Sequence, residues 1–114
     1  MPVIYKLCPS SLWHEAEAAG VFHGMPIDFA DGYIHFSTGA QVKETARLYF
    51  AGQKGLVLVA VSGEALGEAL QYEASRGGDL FPHLFAPLDL SAVLWVKPLP
   101  LGADGLHRFP EELP

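Results

Sequence analysis

The sequence predicts an α+β fold, a single small domain over residues 1–114 in which a mixed and mostly antiparallel sheet packs against two main helices. Strand-like and helix-like segments follow one another without the regular alternation of βαβ units. One apolar run, Leu56–Val61, has the pattern of a strand that is buried on both faces. The 114 residues are 50% hydrophobic and 18% charged, which is typical of a globular chain with one core.

The N-terminal part of the chain is predicted to form a strand, a helix and a loop. Val3–Leu7 has the composition of a short strand. The helix after it begins at Ser10 or Ser11, either of which can cap it, and stops at Gly20. The segment Val21–Asp31 contains glycine and proline without a sustained period, so we predict a loop there.

A second strand and a second helix are predicted next. Tyr33–Ser37 alternates in the manner of a strand, so every second side chain shares a face. Thr38 and Gln41 have the spacing of a capping box, in which each side chain bonds the other residue's backbone N–H. The spacing therefore predicts a helix over Gly39–Ala51, which Thr38 caps.

The second half of the chain is predicted to be mainly strands. After the buried strand, Gly63–Leu66 forms a short helix or turn, and Ala69–Glu73 forms a strand. Arg76–Asp79 is a polar, glycine-containing loop, and an extended segment over Phe81–Phe85 follows it. Ala92–Pro98 is predicted to be the last long strand.

Charge and cysteine content narrow the class of protein. A net charge of −6 and three widely separated arginines disfavour binding to duplex nucleic acid. The longest apolar run is far below the ~20 residues that span a bilayer, so no membrane partner is expected. Cys8 has no second cysteine for a disulfide, and no secretion signal is readable. We therefore expect a protein of the reducing cytoplasm.

The segment Asp31–Gln41, DGYIHFSTGAQ, is the most informative for function. His35 and Ser37 are two residues apart on the predicted strand, so both side chains point to one face. Thr38 then begins a helix whose backbone N–H groups and dipole favour an anion such as phosphate. The segment indicates a ligand site, and it equally suits a structural role with Thr38 as a cap and His35 as a half-buried histidine.

Glu73 and His83 are further candidates for acid–base chemistry. Glu73 ends a predicted strand beside a glycine-containing loop, where a carboxylate can act as a base or stabilise positive charge. His83 lies in FPHLF, after a proline that restricts the backbone. A solvated strand end and a core histidine are the structural alternatives. Arg76 is the basic residue nearest to Glu73 for contact with an anionic ligand.

A metal-dependent hydrolase is an alternative that uses a different chemistry. His35, His83 and Asp79 are residue types that bind metal ions. Their spacing matches no recognised metal motif, since the chain has no HExxH, no paired CxxC and no HxH. We therefore expect no metal.

Several of these motifs together resemble one family. The chain carries IYKL, DGYIHFST, the Tyr72–Glu73 pair and FPHLF in this order. It resembles the small bacterial "domain of unknown function 952" family, whose members carry similar DGFIHLST, WE and FPHLY motifs. The resemblance covers nearly the whole chain. It implies a single α+β domain with an ADP-ribosyltransferase-like fold, because the family is similar to a divergent branch of that superfamily.

The same resemblance implies an activity. An ADP-ribosyltransferase-like enzyme would use NAD as its substrate and cleave the bond between nicotinamide and ribose. By this resemblance, His35, Ser37 and Thr38 would contact the ligand, and Glu73 would stabilise the positive charge on the ribose. His35 and His83 are further catalytic candidates. A non-catalytic module that binds a nucleotide or another small metabolite in the same cleft is the alternative from another class.

Overall fold

A four-stranded antiparallel sheet forms the centre of the fold, and two smaller antiparallel sheets pack around it. The computed structural model describes residues 2–111 and 113. Within them the strands, in chain order, are β1 (Val3–Pro9), β2 (Val21–Phe22), β3 (Ile34–His35), β4 (Ser37–Thr38), β5 (Leu56–Ser62), β6 (Leu70–Ala74), β7 (Leu80–Leu84), β8 (Leu88–Asp89) and β9 (Val93–Leu99). The helices are α1 (Ser10–Ala19), α2 (Pro26–Asp31), α3 (Val42–Tyr49) and α4 (Gly63–Leu66). The α+β class and the antiparallel pairing are confirmed, and the strands form three sheets.

The central sheet has the strand order β4-β1-β5-β9 and is buried on both faces. Successive strand residues point to opposite faces, so β1 and β5 contribute to two cores. One core contains Ile4 and Val59 and is covered by α1 and the two smaller sheets. The other contains Tyr5 and Leu58 and is covered by α3. The prediction that the Leu56–Val61 run is a strand buried on both faces is confirmed.

The predicted strand Tyr33–Ser37 is divided between two sheets. Its first part, β3, pairs with β7 in the sheet β3-β7-β6, and its second part, β4, pairs with β1. Phe36 lies between the two parts, is 3% exposed and donates its N–H to the carbonyl of Pro82 at 3.0 Å. The change of sheet brings β7 beside β4, and the candidate site lies at this junction.

The prediction of a loop over Val21–Asp31 is wrong, because this segment contains β2 and α2. Pro26 is at the first turn of α2, where its fixed φ suits a helix and its missing N–H costs nothing. Gly32 ends the helix with a φ of 86°. The Asp28 side chain accepts a hydrogen bond from the N–H of Met25 at 2.7 Å, so the helix start is held by a carboxylate.

The two longer helices differ from the prediction at their starts. Helix α1 ends at Gly20 as predicted, with a φ of 78°, but no serine side chain caps it. Helix α3 begins at Val42 rather than Gly39, because Thr38 pairs with Ile4 as part of β4. Half of the predicted capping box is present, since the Gln41 side chain accepts from the N–H of Thr38 at 3.0 Å. The Thr38 hydroxyl does not cap α3.

The later elements agree with the prediction to within about one residue. Helix α4 has the predicted bounds. Strands β6 and β9 begin and end one residue later than predicted, and β7 begins and ends one residue earlier. The pairing of β2 with β8 was not predicted. Within the described part of the chain, no helix is long and apolar enough to cross a membrane.

Gln41 should contribute more to stability than Thr38. The Gln41 amide also donates to the carbonyl of Leu80 at 2.8 Å, so Gln41→Ala removes two hydrogen bonds and should lower the free energy of unfolding by about 1–2 kcal/mol. Thr38→Val keeps the branched shape and should change it by less than about 0.5 kcal/mol. Urea unfolding measures both, and a larger loss for Thr38→Val would show that the hydroxyl is a cap after all.

Candidate functional site

A cavity of about 460 Å³ lies between β1, α2, the β3–β4 junction, α3 and β7. This volume is in the range of small-molecule sites. Aromatic and aliphatic side chains form most of its wall, with a smaller number of polar groups among them. The lining residues are Tyr5, Lys6, Leu7, Met25, Ile27, His35, Phe36, Ser37, Thr45, Tyr49, Phe50, Ser75, Phe81 and His83.

His83 and Glu73 form a hydrogen-bonded pair at one wall of this cavity. In the β6–β7 pairing, His83 lies opposite Gln71 and Glu73 lies two residues further along, so the two side chains are diagonal neighbours on one face. His83 Nδ1 is 2.7 Å from Glu73 Oε1. The His83 side chain is 4% exposed and that of Glu73 is 47% exposed. The carboxylate therefore orients the imidazole from its outer side, while His83 itself lines the cavity.

His35 lies directly opposite His83 in the β3–β7 pairing, and the two rings are 5.6 Å apart. Its Nδ1 is 2.6 Å from an oxygen of Asp28, and its Nε2 is 2.9 Å from an oxygen of Asp31. Helix α2 supplies both carboxylates. A carboxylate accepts hydrogen bonds, so the doubly protonated imidazolium is the form of His35 that donates to both.

Tyr33 contacts both histidines. Its ring stacks on that of His83 at 4.1 Å with an angle of 25°, and it lies 4.6 Å from the ring of His35. Tyr33 was not among the site residues predicted from the sequence. The available signal was its position two residues before His35, which places both on one face of an extended segment.

A buried ion pair lies behind the histidines. Lys6 Nζ is 3.0 and 3.1 Å from the two oxygens of Asp28 and 2.8 Å from the carbonyl oxygen of His35. Lys6 lies on the same face of β1 as Ile4 and Cys8, whose side chains belong to the core. This spacing is the sequence signal for a buried lysine, which was not among the predicted site residues.

Hydrogen bonds keep Asp28 ionised despite its burial. Burial alone raises the pKa of the Asp28 carboxyl, but the bond from His35, the charge of Lys6 and the backbone N–H groups of Met25 and His35 outweigh it. The pKa is lowered to about 2. Burial lowers the pKa of the Lys6 ammonium group, and the charge of Asp28 partly offsets this. Three acceptor oxygens surround the Lys6 ammonium group and satisfy its hydrogen-bond donors.

The other predicted site residues are placed differently with respect to the cavity. Ser37 lines it, and its hydroxyl is 3.1 Å from that of Thr45. Thr38 is not among the lining residues. The Arg76 side chain lies outside the described residues. Helix α3 lines the cavity through Thr45 and Tyr49, which are beyond its first turn, and Phe50 lines it just after the helix. The predicted phosphate contact at the amino end of α3 is therefore not placed at the cavity.

The residues of the metal hypothesis do not come together as a metal site. Within residues 2–111 and 113, no group of three or more His, Cys, Asp and Glu side chains is arranged to hold a metal ion. His35 and His83 are neighbours, but both ring nitrogens of His35 and Nδ1 of His83 face carboxylates at hydrogen-bond distance. The metal-dependent hydrolase thus has no ligand set in the described part of the chain.

The fold and the cavity define a small α+β domain with a ligand-sized cavity and two carboxylate–histidine pairs at its wall. A family model described as "Protein of unknown function (DUF952)" matches residues 7–96, so the chain belongs to this family. The resemblance to the family that we inferred from the motifs is confirmed. None of the curated proteins compared with the chain matches it.

Solved structures of one relative show the same fold. The crystal structure of protein CC0527 from Caulobacter crescentus is 50% identical, covers 93% of each chain and has a TM-score of 0.90. A crystal structure of a double mutant of CC0527 is 49% identical, with the same coverage and a TM-score of 0.89. The solution NMR structure of CC0527 is 51% identical over 93% of this chain and 91% of that chain, with a TM-score of 0.84.

Replacing one partner of the buried pair should be strongly destabilising. Asp28→Asn leaves Lys6 buried without its counter-charge, so the free energy of unfolding at neutral pH should fall by about 3 kcal/mol or more. Urea unfolding measures the loss. Asp79→Asn, which makes the same charge change at an exposed residue, should stay within about 0.5 kcal/mol of the wild type. Equal losses in the two variants would contradict a special role for Asp28.

The lowered pKa of Asp28 also predicts a loss of stability in acid. The unfolded chain protonates this carboxyl near pH 4, whereas the folded protein holds it ionised down to about pH 2. The stabilisation is therefore complete above about pH 4 and is lost as the pH falls towards 2, by about 2 kcal/mol. The difference in unfolding free energy between wild type and Asp28→Asn should shrink over this range, and a constant difference would contradict the assignment.

Proposed function

We propose that the protein is an enzyme that binds a nucleotide-like small molecule in the cavity and acts on it through the His83–Glu73 pair. NAD is the leading candidate for the ligand. The observation that carries the proposal is that His83 lines a ligand-sized cavity while a carboxylate holds its Nδ1 at 2.7 Å. Specifically, we propose the ADP-ribosyltransferase-like activity that the sequence resemblance implies.

The geometry favours His83 as the general base. When Nδ1–H donates to Glu73, the neutral ring carries its lone pair on Nε2. Among the described residues, Nε2 has no hydrogen-bond partner, so it is available to a water or to a hydroxyl of the ligand. Glu73 would stabilise the imidazolium that forms after proton transfer, as a carboxylate does behind other catalytic histidines.

The walls of the cavity suit a planar ring attached to a sugar. Phe50, Phe81 and Tyr49 present aromatic surface on which a nicotinamide or adenine ring can stack. Ser37 and Ser75 supply hydroxyl groups that can bond those of a ribose. This mixture of apolar walls and few polar groups is typical of small-molecule sites.

In the proposed reaction, the bond between nicotinamide and the ribose carbon breaks, and its electron pair leaves with the neutral nicotinamide. The oxygen of a water or acceptor hydroxyl forms the new bond to that carbon, and its proton passes to Nε2 of His83. The ribose carbon carries positive charge in the transition state, as in glycoside cleavage. Glu73 acts through His83 here and is a positioning residue, whereas the resemblance had suggested direct contact between Glu73 and the ribose.

A reducing cytoplasm remains the proposed setting, because the single cysteine, Cys8, has no partner for an internal disulfide.

Cys8 is also unsuited to act as a nucleophile. It is buried, and burial raises the pKa of its thiol to about 11 despite the opposing charge of Lys6. Thiolates are the reactive form of cysteine, so this residue has a packing role rather than a catalytic one.

Release of nicotinamide from NAD tests the activity, and calorimetry tests binding. His83→Gln should lower kcat by about 10²- to 10⁴-fold and change ligand affinity by only a few fold, because the lost interaction belongs to proton transfer. Glu73→Gln should lower kcat less and shift its pH profile. His14→Gln, an exposed residue of α1, is the matched control and should be unchanged.

Two results would overturn parts of the proposal. Binding of NAD or ADP-ribose without turnover would show a binding module, which is the alternative from another class. No heat with NAD, ADP-ribose or mononucleotides at millimolar concentration would remove the nucleotide assignment as a whole.

A further inference from the structure

We propose that Nε2 of His35 is the binding point for an anionic oxygen of the ligand, a carboxylate or a phosphate, and that Asp31 holds this position as an internal competitor. The inference rests on the proposed function only in taking the same cavity as the ligand site. It assigns a negatively charged group to the ligand and names Asp31 as the residue that this group displaces. It does not depend on which bond of the ligand is cleaved.

The two edges of the His35 ring face different surroundings. Nδ1 points inwards to Asp28, whose side chain is 1% exposed, at 2.6 Å. Nε2 points outwards to Asp31, whose side chain is 41% exposed, at 2.9 Å. The ring itself is 30% exposed and lines the cavity. A ligand can therefore reach the outer nitrogen without disturbing the inner one.

The hydrogen-bond arrangement around His35 suits an acceptor oxygen at this outer nitrogen. Asp28 and Asp31 face the ring from α2, and their hydrogen bonds are both satisfied when His35 is an imidazolium. Lys6 on β1 lies 2.8 Å from the His35 carbonyl oxygen, and its charge is paired with that of Asp28. The remaining neighbours, Tyr33 just before β3 and His83 on β7, contact the ring through their own rings, with Glu73 behind His83. Any group that replaces Asp31 at Nε2 must be able to accept a hydrogen bond, and a negative charge makes that bond stronger.

Asp31 is suited to be displaced, in contrast to Asp28. Among the described residues, His35 is the one hydrogen-bond partner of the Asp31 side chain. Asp31 is the last residue of α2 and is followed by Gly32, which has a φ of 86° and ends the helix. Asp28 accepts bonds from three residues and is held in the core. An exposed ion pair has a small net stability, so an anionic ligand can exchange with Asp31 at little cost.

The test removes the competing carboxylate and measures anion binding at the ring. Inorganic phosphate and acetate are titrated separately into 15N-labelled protein, and the ring signals of His35 report binding. Asp31→Asn should raise the affinity for at least one of the two anions by about three- to tenfold. Glu17→Gln makes the same change of net charge on α1 and should alter the affinity by less than about twofold. Whichever anion gains more identifies the ligand group as phosphate or carboxylate.

Other outcomes would overturn the inference. Equal gains in Asp31→Asn and Glu17→Gln would mean a general effect of net charge, and ring signals of His35 that stay unchanged at saturating anion would place the anion elsewhere. His35→Gln should abolish the gain made by Asp31→Asn in the double variant, and a gain that persists would contradict the role of Nε2. The probes are inorganic phosphate and acetate, so an absence of NAD cleavage does not affect the result of this test. If the protein releases nicotinamide but Asp31→Asn leaves the anion affinity unchanged, this inference alone is overturned.

Discussion

The candidate site depends on the buried ion pair between Lys6 and Asp28. Asp28 joins three elements, since it accepts hydrogen bonds from Lys6 on β1, from His35 on β3 and from Met25 at the start of α2. An uncompensated charge in the core is so costly that these partners hold one another in a single arrangement. The orientation of His35 and the position of α2 at the cavity both follow from this arrangement.

The two carboxylate–histidine pairs are neighbours because β3 and β7 are paired, yet they are chemically different. His35 has carboxylates at both ring nitrogens, whereas His83 has a carboxylate at one nitrogen only. Two titratable groups of the same type, side by side in different surroundings, can take different roles in one reaction. In the proposed roles, the outer nitrogen of His35 binds a negative group of the ligand and the free nitrogen of His83 accepts a proton.

Much of the fold could be predicted from the sequence, because its signals are local. The apolar run at β5, the glycine that ends α1 and the polar, glycine-containing loop between β6 and β7 each depend on neighbouring residues alone. The motif around His35 and Ser37 indicated a site for the same reason. The start of α3 could not be predicted in this way, because Thr38 has both a capping-box spacing and a place in β4, and pairing with β1 decides between them.

The sequence by itself determined the fold class, the family and a set of polar residues suited to a functional role. Tertiary structure alone decided how those residues meet. Lys6 and Asp28 are separated by 22 positions in the chain, and Glu73 reaches His83 only through the register of β6 on β7. Such contacts arise from strand pairing and from the cost of burying charge, and these are energies of the folded chain as a whole, which no short window of sequence contains.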